Sequence, residues 1–187
     1  VMICMTNQNY VMSTDTLTGV YNRQALGNLL HDLYKQTGGC RLDVFMVDIN
    51  DFKMINDKHG HMVGDQILKQ TASILDEICH ELVDKPFLCR YGGDEFIIVF
   101  YTADKRQLED WAKQIYIRIE EAEGFGAEIA QTLGEQITIR KEERISCSIG
   151  IVAKEKITEE EEINTLIKQA DDLLYTIKTS TKGTYRI

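Results

Sequence analysis

Two stretches of this chain set acidic side chains where a ligand could meet them. The run Arg90-Tyr91-Gly92-Gly93-Asp94-Glu95-Phe96 places two carboxylates beside a glycine pair. Upstream, Asp48 lies at the end of the apolar run LDVFMVDI and is followed by Ile49-Asn50-Asp51-Phe52-Lys53. Carboxylates that converge from separate strand ends suit a hard divalent cation, which takes oxygen ligands and bridges phosphates. Gly92 and Gly93 lack β-carbons, so the turn can adopt positive φ and let a ligand approach its backbone. A glycine pair alone is usually only a turn. Flanked by β-prone runs, and with an aspartate-ended strand upstream, this one is far more specific.

The elements that must position these groups follow from periodicity. A helix is expected from about Asn22 to Thr37, with Leu26, Leu29, Leu30 and Leu33 on one face and Gly38-Gly39 ending it. Leu42 to Ile49 is a nearly continuous apolar run, as for a strand buried on both faces. A second helix spans roughly Met62 to His80, with Ile67, Thr71, Ile74, Leu75 and Ile78 at helical spacing. Phe87–Arg90 and Glu95–Tyr101, joined by Tyr-Gly-Gly-Asp, read as a β-hairpin. A helix from Lys105 to Glu121 follows, with Leu108, Trp111, Ala112, Ile115 and Ile119 inward. Gln136–Arg140 and Ile145–Val152 read as strands, and Glu123–Glu135 as an irregular excursion. The last helix is expected over Glu159–Lys178, its stripe formed by Ile163, Leu166, Ile167, Ala170, Leu173 and Ile177; Tyr185–Ile187 reads as a closing strand. This order predicts an α/β layer structure whose central sheet includes an antiparallel hairpin.

Composition narrows the function classes. With 187 residues, 43% hydrophobic and 27% charged, the chain is expected to fold as one domain rather than stay disordered. The formal net charge of −9, without a dense Lys/Arg cluster, argues against a nucleic-acid backbone as partner. A triphosphate is compatible, because a divalent metal and a few well-placed lysines can neutralise it. No apolar run is long enough to cross a bilayer, so this segment is expected to be cytoplasmic and not membrane-embedded, whatever anchors the full-length protein. Five cysteines at scattered spacings, with no Cys-x-x-Cys, read as buried thiols. The chain opens on Val1, and residues 1–14 show no clear period, as for the end of a connector from an upstream domain.

Several motifs in order resemble one family, the GGDEF diguanylate cyclases, over roughly residues 15–187. They are Asp15-x-Leu17-Thr18-Gly19-Val20-Tyr21-Asn22-Arg23, Asp48-Ile49-x-x-Phe52-Lys53-x-x-Asn56-Asp57, Gly60-His61-x-x-Gly64-Asp65 and the Arg90–Phe96 hairpin. Ser148-Ile149-Gly150 and Ala170-Asp171-x-x-Leu174-Tyr175-x-x-Lys178 complete the set. The resemblance implies the palm-like α/β fold of nucleotidyl cyclases, a central, mostly antiparallel five-stranded sheet flanked by helices, and the condensation of two GTP into cyclic di-GMP with loss of pyrophosphate. It implies magnesium, or manganese, held by Asp48, the Ile49 carbonyl and Asp94. Glu95 is then a further ligand or helps to deprotonate the attacking 3′-hydroxyl. Amides from Asn50 to Lys53, Phe52 among them, and the Lys53 side chain would cradle the β- and γ-phosphates, the hairpin glycines Gly92 and Gly93 would admit the nucleotide, and Lys178 and Lys182 would add charge. Asn56 and Asp65 would recognise guanine, since a carboxylate accepts from its N1 and exocyclic amine protons. One domain offers one nucleotide site, so a homodimer is the implied active species, controlled by an upstream sensor domain.

The chain also departs from the family pattern. Val83 and Pro86 stand where many members carry an inhibitory Arg-x-x-Asp product site, so no strong feedback through that site is expected. Asn50 stands where aspartate is common, and Lys182 where an arginine is, losing bidentate geometry. Read singly, Asp48 would be a strand-end carboxylate, Asn56 and Asp65 turn and helix-start residues, and Lys53 and Lys178 solvated lysines. His59-Gly60-His61 lacks further ligands at zinc spacing and is read as structural. The rivals to a cyclase are a nucleotide receptor of the same fold, a cyclase making an adenine-containing dinucleotide, and a pure dimerisation module.

Overall fold

The computed structural model describes residues 13–37, 41–83, 85–100, 105–122, 145–154, 161–180 and 183–187. Its elements are β1 (Tyr21–Asn22), α1 (Arg23–Thr37), β2 (Leu42–Ile49), α2 (Phe52–His59), α3 (His61–Glu81), β3 (Phe87–Gly92), β4 (Glu95–Phe100), α4 (Lys105–Glu120), β5 (Cys147–Lys154), α5 (Glu161–Ser180) and β6 (Tyr185–Arg186). The expected strand at Gln136–Arg140, the excursion at Glu123–Glu135, Lys182 and most of the N-terminal connector lie outside the described residues.

β2 is buried at all eight positions, because helices cover both sides of the sheet it runs through. Phe45, Val47 and Ile49 face a core formed with α3 and α4 through residues such as Ile67, Leu75, Leu108 and Ile115. Val44 and Met46 face the opposite core, with Leu26 and Leu30 of α1 and Leu166 and Ala170 of α5. This two-faced burial explains why the run lacks the alternation of a half-exposed strand.

The sheet has six strands in the order β1-β3-β4-β2-β5-β6 and is mixed. Its centre is antiparallel, whereas β1 pairs parallel with β3 and β6 parallel with β5. The five-strand expectation is therefore corrected. Two-residue edge strands are too short to carry a period, and β1 shows none. α2 was likewise not anticipated: it has eight residues, and Ile55 is its one buried position.

The remaining helices follow their stripes. Asn22 caps α1, its Oδ1 accepting the Ala25 N–H at 3.0 Å. On α5 the inward stripe runs through Leu166, Ala170, Leu174 and Ile177, so Leu174 replaces the expected Leu173. The cause is close approach to β5. A Cβ on Gly150 would collide with the Ala170 carbonyl and lie 2.9 Å from the Leu174 amide. Glycine at 150 thus lets α5 rest directly on the sheet with Leu174 inward. That seating carries Lys178, one turn further on, toward the end of β2. Cys79, Cys89 and Cys147 are buried free thiols. Burial pushes Cys79 and Cys89 up to about 12, far from thiolate reactivity.

Candidate active site

Asp48 stands one residue before the end of β2 between two neighbours, with Glu95 opposite it on β4 and Ser148 opposite it on β5. It is 2% exposed. The Lys178 ammonium, reaching down from the last turn of α5, lies 2.6 Å from Asp48 Oδ2. Asp48 Oδ1 is buried with no hydrogen-bond partner. An unpaired buried carboxylate oxygen ordinarily costs about 1–3 kcal/mol or more. Burial pushes the Asp48 carboxyl up to about 7; Lys178 opposes the rise, and the negative charges of Asp94 and Glu95 add to it.

The hairpin delivers those two charges. β3 continues to Gly92, so the turn is only Gly93-Asp94, tighter than the four-residue connection read from the sequence. Gly93 has φ +44°, in the region glycine adopts without penalty. The register shifts between Arg90 and Gly92, a bulge that re-aims the tip. Arg90 braces it: Nε and Nη2 donate to the Gly93 carbonyl at 2.9 and 2.7 Å, and Nη1 donates to Asp15 Oδ1 at 3.1 Å. Asp15 in turn accepts the Thr18 amide and hydroxyl at 2.9 and 2.7 Å. Burial tends to raise the Asp15 carboxyl, but the Thr18 and Arg90 bonds outweigh it and hold Asp15 below its ordinary value. The opening Asp-x-Leu-Thr-Gly motif therefore acts as an anchor for the hairpin.

Glu95 is half-buried, and its carboxyl is raised first by burial, then by the charges of Asp171 and Asp94, against Lys178 and Arg23. Ile49 donates its N–H to the Asp94 carbonyl at 3.3 Å. A residue's N–H and C=O project to the same side of a strand, so the Ile49 carbonyl also faces the hairpin. Asp48, Ile49, Asp94, Glu95 and Lys178 are thus gathered at one sheet end, with glycines Gly92 and Gly93 exposed at its rim.

α2 starts beside this cluster. Asp51 precedes it in a left-handed conformation (φ 55°), and the first helical bond runs from the Ile55 N–H to the Asp51 carbonyl at 3.1 Å. The amides of Phe52 to Met54 therefore have no intrahelical acceptor, the condition that favours phosphate at a helix N-terminus. The Asn50 amide does not join them, because it donates to the Ser146 carbonyl at 2.9 Å. The Asn50 side chain is buried in a neutral network, with Nδ2 donating to Ser146 Oγ at 2.9 Å and Oδ1 accepting from Ser148 Oγ at 2.8 Å. Ser148 Oγ also accepts the Gly183 N–H at 3.3 Å, tying the chain after α5 to the end of β2. The Phe52 ring packs on the core, and Lys53 pairs with Asp57 at 3.3 Å on the exposed side of α2. Asn56 and Asp65 lie on either side of the α2–α3 junction at Gly60 (φ 87°), with Asn56 half-buried and Asp65 exposed.

Sequence reasoning missed the Asp15–Arg90 brace, the Asn50–Ser148 network and the closeness of Asp171 to Glu95. The partners lie far apart along the chain, and nothing local marks them. Among the described residues, no three Asp, Glu, His or Cys side chains form a ready-made metal cage, and His59 and His61 join none. The residues nevertheless fit a hard divalent cation. One or two carboxylates, a backbone carbonyl and substrate phosphates make the coordination that magnesium usually takes. The orphaned Asp48 Oδ1 is an acceptor waiting for such a partner.

Comparison with known proteins shows the family. The family model described as "Diguanylate cyclase, GGDEF domain" matches residues 12–184. Diguanylate cyclase VdcA of Vibrio cholerae is 33% identical over 164 residues, covering 88% of this chain and 43% of VdcA. Cyclic di-GMP phosphodiesterase PdeR of Escherichia coli is 30% identical over 174 residues, 92% of this chain and 23% of PdeR. The chain therefore spans less than half the length of these relatives, and their names do not agree on one activity. The coiled coil and GGDEF domain of DgcB from Caulobacter crescentus, solved with c-di-GMP, aligns with a TM-score of 0.73 over 95% of this chain and 86% of that one. At 21% identity, that likeness shows a shared fold. With the family model spanning nearly the whole chain and the sheet-end carboxylates in its hairpin, the chain belongs to the GGDEF-domain family of diguanylate cyclases.

Proposed function

We propose that this domain condenses two GTP molecules into cyclic di-GMP with release of two pyrophosphates, acting as a two-fold dimer and as the output domain of a larger signalling protein. The observation that carries this reading is Asp48, buried, with one oxygen on Lys178 and the other unpartnered, set between the hairpin carboxylates and the start of α2. Asp48, Asp94 and the Ile49 carbonyl would hold magnesium, or manganese in its place, with Glu95 as a further ligand or as the group that takes the 3′-hydroxyl proton. When bound, the metal supplies positive charge against the triphosphate.

The chain's own residues orient and neutralise the substrate. The amides at Phe52 and Lys53, with the Lys53 side chain swung from Asp57, bind the β- and γ-phosphates. Lys178 leaves Asp48 for the phosphates, its charge already at the sheet end. Asp65 accepts from the guanine N1 and amine protons, and Asn56 supplies a second polar contact to the base. Each 3′-hydroxyl attacks the α-phosphate of the nucleotide held by the other subunit: one P–O bond forms, another breaks, and pyrophosphate leaves. Repetition in the opposite sense closes the ring. Positioning and charge stabilisation carry the catalysis. An upstream sensor would set the relative orientation of the two domains, and a GTP substrate places the reaction in the cytoplasm.

The test is direct. The chain joined to a parallel coiled coil that enforces dimers, given GTP and magnesium chloride, should release cyclic di-GMP and pyrophosphate, while the monomer should not. A dimer that binds GTP without yielding product would replace this reading with a nucleotide-sensing module of the same fold.

A further inference from the structure

We infer that Gly64 is a specificity-determining position for the base: its missing side chain is the space in which the Asn56 amide lies. The inference rests on the guanine-binding reading of Asn56 and Asp65. Gly64 lies in α3 with an ordinary helical φ, so no backbone strain calls for glycine there. A glycine inside a helix weakens it relative to alanine, so the position should serve something other than the helix.

What it serves is visible in the space around it. A Cβ on Gly64 would overlap Asn56 Oδ1, come within 2.9 Å of Asn56 Cγ and reach 3.2 Å from Phe52 Cζ. The overlap is with the end of a flexible side chain, not with backbone. Alanine at 64 would therefore be accommodated by swinging Asn56 out of place, while the helix itself gains propensity. Asn56 Oδ1 is buried there without a hydrogen-bond partner, directly against the bare Gly64. The terminal torsion of asparagine is broad and roughly two-fold, so Oδ1 and Nδ2 can exchange ends as long as position 64 stays bare. The amide can then turn either its acceptor or its donor to a base. Gly64 also directly precedes Asp65, so both base-facing residues depend on one turn of α3.

The experiment measures binding to the full chain of 3′-deoxy-GTP, 3′-deoxy-ATP and inorganic triphosphate, with magnesium present. Neither deoxynucleotide has the attacking hydroxyl, so binding is read without turnover. Wild type should prefer 3′-deoxy-GTP. Gly64→Ala should weaken that nucleotide about tenfold, as for loss of one good polar contact. It should leave triphosphate affinity unchanged and the melting temperature equal or higher. Asn56→Ala should lose a similar factor, and the double variant no more than Asn56→Ala alone, because both changes remove one amide. Gly64→Ala binding 3′-deoxy-GTP as tightly as wild type overturns the inference. So do losses that multiply in the double variant, and so does a lower melting temperature with parallel loss of triphosphate. The guanine reading survives all three. Wild type binding both nucleotides equally overturns that reading and this inference together.

Discussion

The two ends of β2 each bury an aspartate, and the contrast between them separates a site from a structural curiosity. Asp43 is fully buried and Asp48 nearly so. Each has one cationic partner, Arg41 Nε at 3.1 Å for Asp43 and Lys178 Nζ at 2.6 Å for Asp48. Each leaves its Oδ1 unpartnered, and burial raises both carboxyls. Burial, an ion pair and an orphaned oxygen therefore do not by themselves mark a functional residue. The difference lies in the neighbours. Asp43 pairs across the sheet with Phe100 and Ala153, and among the described residues Arg41 is the one charged group that shifts it. Asp48 pairs with Glu95, feels Asp94 as well, and lies one residue from a carbonyl facing the same hairpin. Convergent negative charge of this kind is the feature on which the proposed metal-nucleotide site rests.

This contrast can be broken by mutation. The largest effect should come from Asp48→Asn, which keeps the shape and removes the charge. Turnover of GTP should fall by about 10²–10³-fold, with the melting temperature held or raised. Retained turnover would mean that the convergent charge is not catalytic. Next comes Arg90→Ala, which frees the Gly93 carbonyl and cuts the tie to Asp15. Turnover should drop roughly ten- to hundredfold through misplacement of Asp94 and Glu95. Arg90→Lys should recover little of it, since an ammonium cannot make the forked contact. An unchanged kcat for Arg90→Ala would show that the hairpin tip holds itself.

Smaller effects sharpen the same picture. Lys53 lies out on the surface against Asp57, so Lys53→Ala should raise KM by no more than about fivefold, the worth of an exposed ionic contact. A collapse of kcat instead would make Lys53 part of the chemistry. The smallest change in turnover, none, is expected for Asp43→Asn. Its signature is in stability. Because burial raises the Asp43 carboxyl above its ordinary value of 3.8, the native state binds that proton more readily than the unfolded chain. Ionisation then costs stability as pH climbs from the unfolded value through the raised native one. Asp43→Asn should flatten the fall in melting temperature that sets in as pH climbs above the ordinary carboxyl value. An identical slope in the variant would place the proton uptake elsewhere.

How much of this was legible in the sequence depended on the range of the forces involved. β2 could be read because burial on both faces writes an unbroken apolar run, and the helices because their stripes repeat several times. The hairpin could be read because Gly-Gly-Asp-Glu sits between two β-prone runs. β1 and α2 could not, being too short for a period to show. Leu173 was expected on the inward stripe where Leu174 stands, because only the bare Gly150 on another element fixes the rotation of α5. At the site, Asp48, Asp94, Glu95 and Lys178 were found through motif order, and the structure brings them together. Arg90 and Asp15 are separated by 75 positions, so their pairing has no local signature. The Asn50 amide was expected at the phosphates, yet it is spent on the carbonyl of Ser146, 96 positions along the chain and just before β5. Asp43 is the converse case, a charge within an apolar run whose complete burial only the fold reveals.

The account is tested most directly by one paired assay. Dimer-enforced wild type, Asp48→Asn and Asp43→Asn are incubated with GTP and magnesium chloride, and cyclic di-GMP is quantified by chromatography. Wild type and Asp43→Asn should form product at the same rate, and Asp48→Asn should form almost none. Equal product from the two variants, or none from wild type, would contradict the claim that the charge gathered at the hairpin end of β2 makes this domain a cyclase.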